Sequence, residues 1–338
     1  MSRIERDDEA GLAESADVLH ASDKDMWPDL EGFTRRDIRA YAQFRGTGRR
    51  YELLAAAERG GPILGVGMME RSLVDNLHAV EVTVAVHPSY RRRGVGTALV
   101  AGMGEMAAAD GREVLNSIVD VPVAVASDHA SLSFAPKVGF EPTLGGTTRH
   151  LRLPVDTALL DELRGVVAGA RDAADYRTFT FDAPWPEEFT EDHCELLRRM
   201  STDEPAGDSE REEEVWDERR LRENEALRLA RGASKFVAVT QHVPSGGLVA
   251  MSEIVVGADT PTQGWQAITV VHPAHRGHRL GLAVKIANLD ALAARAPAVR
   301  LIVTGNAAVN APMIAVNDML GFEVAGEGMF WQKRLGGG

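Results

Sequence analysis

The sequence lacks several features that would narrow its class. Cys194 is the only cysteine in 338 residues, which excludes an intrachain disulfide framework and makes a reducing cytoplasm the expected location. Two roles stay open for Cys194: a nucleophile or a partly buried core residue. No apolar run approaches the ~20 residues that span a bilayer, and the residues after Met1 contain no apolar segment typical of a secretory signal. We therefore expect no membrane association.

Positive charge is also scarce. Asp and Glu number 50 against 37 Lys and Arg, a formal net charge of −13. Phosphate backbones attract clustered Lys and Arg, so this balance argues against a nucleic-acid partner. The ten histidines show no spacing typical of metal ligands. The glycine-rich turns match neither a P-loop nor a dinucleotide-binding fold. We expect no metal and no ATP chemistry.

One stretch concentrates basic residues and glycine. Residues 81–86 have the composition of a strand and residues 98–109 the period of a helix, with Arg91-Arg92-Arg93-Gly94-Val95-Gly96 between them. The first N–H groups of a helix lack intrahelical partners, and the helix dipole adds positive charge there. Glycine lets an anion approach the backbone. The stretch predicts a site for the phosphate groups of a small ligand.

The same arrangement occurs twice. Val86-His87-Pro88 returns as Val271-His272-Pro273 185 residues later, and Gly139-Phe140 returns as Gly321-Phe322 182 residues later. Each copy lies in the same predicted order of strands and helices, and Thr34 is a predicted N-cap in the first. Recurrence at nearly one offset indicates an internal duplication. The predicted domains are 1–155 and 156–338.

The loops and the element order resemble the GNAT superfamily of acyl-CoA-dependent N-acyltransferases. Arg91-x-x-Gly94-x-Gly96 matches the family's acetyl-CoA pyrophosphate loop at each position, whereas Arg276-x-x-Arg279-x-Gly281 carries an arginine where glycine is usual. Among tandem members the chain resembles the actinobacterial two-domain type, which includes mycothiol synthase. The resemblance implies an α/β (α+β) fold of two GNAT-like domains. Each would be a twisted mixed sheet flanked by helices, with its fourth and fifth strands splayed.

The resemblance also implies acetyl-CoA as the cofactor, held by the fourth strand and the loop of each half. In the first half the implied cofactor-binding residues are Val84, Ala85, Val86, Arg91, Arg92, Arg93, Gly94, Val95, Gly96 and Thr97. In the second half they are Val270, Val271, Arg276, Gly277, His278, Arg279, Leu280, Gly281, Asn306 and Asn310. Helix capping is an equal alternative for the two asparagines. Arg279 would either crowd the pyrophosphate or clamp it, and we favour a clamp.

Three residues are catalytic candidates. Attack on a thioester needs a neutral amine, so a base must accept a proton from the acceptor. Glu81 lies near the position where many family members carry that base, and Glu253 lies on a predicted central strand. The alternative is that Glu81 is not a base but a strand residue whose side chain faces solvent. The tyrosine that protonates the departing CoA thiolate in many family members is absent from both halves. The matching positions are Ala135 and Asn317, and Asn317 is the candidate because its side chain is polar.

These observations predict an N-acetyltransferase that transfers the acetyl group of acetyl-CoA to the primary amine of a small molecule by direct attack. The acidic stretch 203–214 is either a solvated segment or a wall that attracts a cationic amine. Three alternatives stay open. One or both halves are non-catalytic CoA-binding or structural modules, the acceptor is a protein or peptide amine, or the chain is a mycothiol synthase. The acceptor, the active half and the oligomeric state are left open.

Overall fold

The computed structural model describes residues 1–125, 129–203, 205, 207 and 211–336. The helices are α1 (Glu9–Met26), α2 (Arg35–Gln43), α3 (Val95–Ala109), α4 (Ala130–Lys137), α5 (Thr157–Ala168), α6 (Thr190–Asp203), α7 (Glu218–Ala230), α8 (Leu280–Arg295) and α9 (Ala311–Met319). The strands are β1 (Ser2–Arg3), β2 (Arg49–Ala57), β3 (Ile63–Ser72), β4 (Ala79–Val86), β5 (Val114–Pro122), β6 (Glu141–Arg152), β7 (Tyr176–Asp182), β8 (Ser234–His242), β9 (Leu248–Val256), β10 (Gln263–Val271), β11 (Leu301–Ala307) and β12 (Glu323–Arg334). This mixed α/β architecture confirms the predicted fold class.

The described chain forms two compact units. Unit 1 comprises Met1–Gly146, Ala206–Glu212 and Gly326–Gly338, and unit 2 comprises Thr147–Pro205 and Glu213–Ala325. A single cut at residue 155 does not reproduce these units, because most of β12 packs in unit 1 and the second half of β6 in unit 2. The division into domains 1–155 and 156–338, which follows from the repeated motifs, stays a prediction.

The sheet of unit 1 runs β1-β2-β3-β4-β5-β12. The β4–β5 pair is parallel, and the other pairs are antiparallel. Strand side chains alternate between the two faces, and both faces are covered. Leu53 and Val66 pack with Leu19 of α1 on one face, whereas Leu54 and Met69 pack with α3 on the other. The core therefore has two layers around one sheet.

Unit 2 has the strand order β6-β11-β10-β9-β8-β7, and its β10–β11 pair is parallel, as the β4–β5 pair is in unit 1. Val237 and Met251 pack against Leu197 of α6 on one face. Ile254 packs with Leu282 of α8 on the other. Among the described residues of the protein, no helix is both long enough and apolar enough to cross a membrane.

Candidate active site

In unit 1, strands β4 and β5 part in the middle of the sheet. Their parallel ladder runs from Ala79↔Val114 to Glu81↔Asn116 and, within the described residues, ends there. Beyond that point β4 stays paired with β3 as far as Val86, and β5 stays paired with β12. The segment that carries Val84, Ala85 and Val86 thus presents backbone groups to a gap, and such groups need hydrogen-bond partners.

The loop after β4 has the geometry of an anion cradle. Arg92 and Gly94 take left-handed backbone conformations, with φ of 64° and 82°. Gly94 is the N-cap of α3 and supplies no side-chain hydrogen bond to the first turn, which leaves Val95, Gly96 and Thr97 to present their amides. A Cβ at Gly94 would meet no heavy atom within 4 Å. The space above the helix N-terminus is open, as a pyrophosphate requires.

The first arginine of each loop braces the loop itself. Arg91 Nε donates to the Val86 carbonyl at 3.3 Å, and its guanidinium pairs with Asp25 of α1. In unit 2, Arg276 Nε donates to the Val271 carbonyl, also at 3.3 Å, and pairs with Asp203 of α6. Both side chains therefore tie the loop to the end of the preceding strand.

The parting of strands recurs in unit 2. The β10–β11 ladder ends, in the described part of the chain, at Trp265↔Val303, and β10 carries a bulge between Gln266 and Ile268. Gln266 Nε2 donates to the carbonyls of Glu253 and Ile268, at 2.9 and 2.8 Å. The side chain thus satisfies carbonyls that a bulge leaves without a ladder partner.

The second loop has left-handed residues at the same two positions as the first, but glycine and arginine have exchanged places. Gly277 and Arg279 have φ of 86° and 61°, 185 residues after Arg92 and Gly94. Arg279 is the N-cap of α8, so an arginine occupies the left-handed position that glycine occupies in unit 1. Leu280 is buried at the start of α8, followed by Gly281, while the His278 Nδ1 lies 2.9 Å from the Arg171 carbonyl.

Glu81 stands where the strands of unit 1 part. Its side chain is exposed, and its Oε1 accepts a hydrogen bond from Asn116 Nδ2 at 2.9 Å. Surrounding protein atoms desolvate the carboxyl group and raise its pKa, and the charge of Glu70 adds to this rise, although the Asn116 bond opposes it. A water-accessible carboxylate of raised pKa is suited to accept a proton from an amine.

Glu253 has the opposite environment. It is 2% exposed, pairs with Lys235 Nζ at 2.9 Å and accepts from Trp185 Nε1 at 3.2 Å. Burial works to raise its pKa, but the charge of Lys235 and its hydrogen bond to the carboxylate outweigh that effect and the pKa is lowered. A buried, ion-paired carboxylate of low pKa is a poor base. Burial lowers the pKa of His193 to about 4.

Asn317 is fully buried, and both ends of its amide are occupied. Lys285 Nζ donates to its Oδ1 at 2.9 Å, and its Nδ2 donates to Asn306 Oδ1 at 2.6 Å. Lys285 is itself buried, which lowers its pKa to about 7. Asn310 accepts from Met313 N as the N-cap of α9, the capping alternative of the sequence. Lys285 escaped prediction, although a lone lysine amid the apolar residues 282–286 is a signal for it.

Two further sequence features have other surroundings. Cys194 is buried, and burial raises its pKa to about 11, which is unlike a nucleophilic thiolate. In the acidic stretch, Glu212 accepts from Asn76 N at 2.9 Å and Glu214 lies 3.5 Å from Arg220. The remaining residues 204, 206 and 208–210 lie outside the described ones. In the described ranges no three His, Cys, Asp or Glu side chains form a metal-holding group.

Comparisons with known proteins agree with this geometry. Residues 17–140 match the family model of the acetyltransferase (GNAT) family. A tandem GNAT protein from the clavulanic acid biosynthesis pathway is 26% identical, with a TM-score of 0.78 over 99% of this chain and 98% of that one. A GCN5-related N-acetyltransferase from Sphaerobacter thermophilus shares the fold, with 14% identity and a TM-score of 0.62 over 97% and 93% of the chains. No curated protein sequence matches. These findings indicate a tandem GNAT N-acetyltransferase, of which residues 17–140 match the acetyltransferase (GNAT) family.

Proposed function

We propose that unit 1 transfers an acetyl group from acetyl-CoA to the primary amine of a small molecule. The observation that carries this proposal is the parting of β4 and β5 after Glu81↔Asn116. It leaves a gap that begins at a proton-accepting carboxylate and runs along β4 to the α3 loop. The gap can accommodate the thioester arm of acetyl-CoA, and the loop at the N-terminus of α3 can bind its pyrophosphate.

The residues of unit 1 fit this cofactor. The uncapped first turn of α3 offers the amides of Val95, Gly96 and Thr97 to a pyrophosphate, and Arg92 and Arg93 are exposed beside them. The edge of residues 84–86 that faces away from β3 offers hydrogen-bond groups to the pantetheine amides. When bound, acetyl-CoA supplies the activated acyl group.

The chain's own part in the reaction is proton removal and charge stabilisation. Glu81 accepts a proton from the acceptor ammonium, directly or through water, since only the neutral amine has a lone pair to attack with. Backbone N–H groups of β4 beyond Glu81 that point into the gap are fixed donors for a developing oxyanion. Attack is direct, without an acyl-enzyme on Cys194, which is buried with a raised pKa.

Calorimetric titration with acetyl-CoA tests the cofactor assignment. In Gly94→Leu a side chain fills the open space above the helix N-terminus, so affinity should fall at least about tenfold. Gly60→Leu is the matched control, because Gly60 also has a left-handed φ of 71° and open space around its Cβ position. Gly60 lies in the β2–β3 turn, so Gly60→Leu should bind acetyl-CoA with the native affinity. Unchanged binding in Gly94→Leu, or none in the native protein, would refute the proposal.

A second candidate function concerns unit 2 alone, as a non-catalytic CoA-binding or structural module. The low pKa and burial of Glu253, and the fully bonded amide of Asn317, favour it. Thiol release from acetyl-CoA with a panel of amines, peptides and the cysteinyl pseudodisaccharide of mycothiol biosynthesis separates the units. Arg91→Ala should abolish release and Arg276→Ala should leave most of it. The reverse result would make unit 2 the active half.

A further inference from the structure

A cavity of about 430 Å³ opens in unit 1 where α2 ends and β2 begins. Its lining is strongly basic for a protein of net charge −13. The lining arginines are Arg3, Arg6, Arg45, Arg49 and Arg50. Among the lining residues that the structure describes, two are acidic, Glu5 and Glu52. A concave surface of one sign concentrates ligands of the opposite sign, which here means anions.

Part of this charge is already compensated within unit 1. Glu52 pairs with Arg3 at 2.9 Å and with the buried Arg71, and Arg49 pairs with Glu70. The charges of Arg3 and Arg49 are therefore balanced by carboxylates.

Three lining arginines have no such compensation. Within the described ranges, Arg6, Arg45 and Arg50 make no ion pair with a carboxylate. The Arg45 Nη1 instead donates to the Ala42 and Phe44 carbonyls. Desolvation, and then the charge of Arg6, lowers the pKa of Arg45, so the two guanidinium groups are near enough to repel each other. An anion between them would relieve that repulsion.

The floor of the cavity is aromatic and firmly held. Tyr51 and Phe44 line it, with ring centroids 5.8 Å apart, and Tyr41 packs on Tyr51 at 4.7 Å. Desolvation raises the pKa of Tyr51, so this ring stays neutral. An apolar floor beneath a cationic rim suits an organic anion better than a fully hydrated inorganic one.

The strand register connects this cavity to the site of chemistry. Tyr51 pairs with Glu70 across β2 and β3, and Glu70 pairs with Glu81 across β3 and β4. Directly opposed residues share a face of the sheet, so all three side chains lie on the same face. Two strand spacings put Tyr51 about 10 Å from Glu81. A small molecule is long enough to contact both ends.

We propose that the cavity binds the anionic group of the acceptor, which is then a primary amine carrying a carboxylate or phosphate about 10 Å away. This inference rests on the proposed function of unit 1. Its amine end lies at Glu81 and its anionic end between Arg6 and Arg45. The acceptor is thus not the purely cationic amine that the stretch 203–214 suggests from sequence.

The experiment compares acceptors that differ only in the anionic group. Straight-chain ω-amino carboxylates and aminoalkyl phosphates of increasing length are measured beside alkylamines of equal length. In Arg6→Gln/Arg45→Gln, KM for the anionic acceptors should rise about tenfold or more, because two charge-assisted contacts are lost. KM for alkylamines should stay constant. Arg59→Gln, on the β2–β3 turn, is the control for net charge and should resemble the native enzyme.

Direct binding separates this inference from the proposed function. Calorimetry with 6-aminohexanoate and with 6-aminohexyl phosphate, without acetyl-CoA, should show binding to the native protein and to Arg59→Gln, and loss in the double variant. The stronger of the two probes identifies the anion. No binding to the native protein, or equal binding to the double variant, overturns the inference even if acetyl-CoA binds. Failure of acetyl-CoA to bind removes the acceptor role and overturns it as well.

Discussion

Glu81 and Asn116 form the last registered pair between β4 and β5, and the Asn116 Nδ2 donates to Glu81 Oε1 at 2.9 Å. The strands of unit 1 part immediately beyond them. One hydrogen bond therefore joins the two strands at the end of the gap and also limits the rise in the pKa of the carboxylate that desolvation causes there. This coupling makes the protonation state of Glu81 testable from either strand.

Replacing Asn116 by leucine should move the pH dependence of acetyl transfer. The Asn116 bond favours the charged carboxylate, so its loss raises the pKa of Glu81 further above the ordinary value. The acid limb of kcat/KM should shift to higher pH by about one unit. Gln332→Leu is the control. Gln332 Nε2 donates to the Asn116 Oδ1 at 3.2 Å, whereas Glu81 accepts from the Nδ2 of the same amide. A shift to lower pH in Asn116→Leu would contradict the assignment.

Glu81→Gln should lower kcat/KM about a hundredfold or more, since the amide accepts no proton. The acid limb should disappear, and acetyl-CoA affinity measured by calorimetry should be retained. Glu70→Gln provides the comparison: the charge of Glu70 raises the pKa of Glu81, so removing it should move the acid limb to lower pH while activity at high pH persists. Equal losses in both variants would show that Glu81 is not the base.

The repeated loops were predictable because their constraints are local. A helix start needs free N–H groups near an anion and backbone positions with positive φ, and both show directly in the residues at 91–97 and 276–281. Thr34 is likewise confirmed as an N-cap, in a full capping box with Asp37. Capping depends on residues three apart, so it can be recognised without tertiary information.

Other features, several of which depend on long-range packing, were not predicted from the sequence. Helix α6 was not predicted, although Glu191 and Asp192 lie in its first turn and Cys194 and Leu197 have helical spacing. The place of β12 in unit 1 was also missed. Strands β6 and β12 follow equivalent helices, so pattern alone does not say in which unit each packs. Packing decides that: Leu151 of β6 lies in a core of unit 2 and Trp331 of β12 in a core of unit 1.

His193 should make the protein sensitive to acid. Its pKa is lowered from 6.5 to about 4 by burial, so between these values the unfolded state binds a proton that the folded state excludes. Stability is then lost as pH falls, by about 2 kcal/mol between about pH 7 and about pH 5. Urea unfolding of His193→Gln should show this part of the slope removed. A slope equal to that of the native protein would contradict the burial of a neutral imidazole.

Lys285 should destabilise the fold on the acid side of its unfolded pKa. The folded pKa is lowered from 10.5 to about 7, so between these values the unfolded state again binds more protons, and stability rises with pH. Between about pH 7.5 and about pH 9 the native protein should gain about 2 kcal/mol relative to Lys285→Met. The methionine variant also leaves Asn317 Oδ1 without its donor, a loss that Lys285→Met/Asn317→Leu avoids. That loss is independent of pH, so both variants should show the same flattened slope. If denaturant unfolding shows parallel stability curves for the native protein and both variants, Lys285 is not held neutral in the fold.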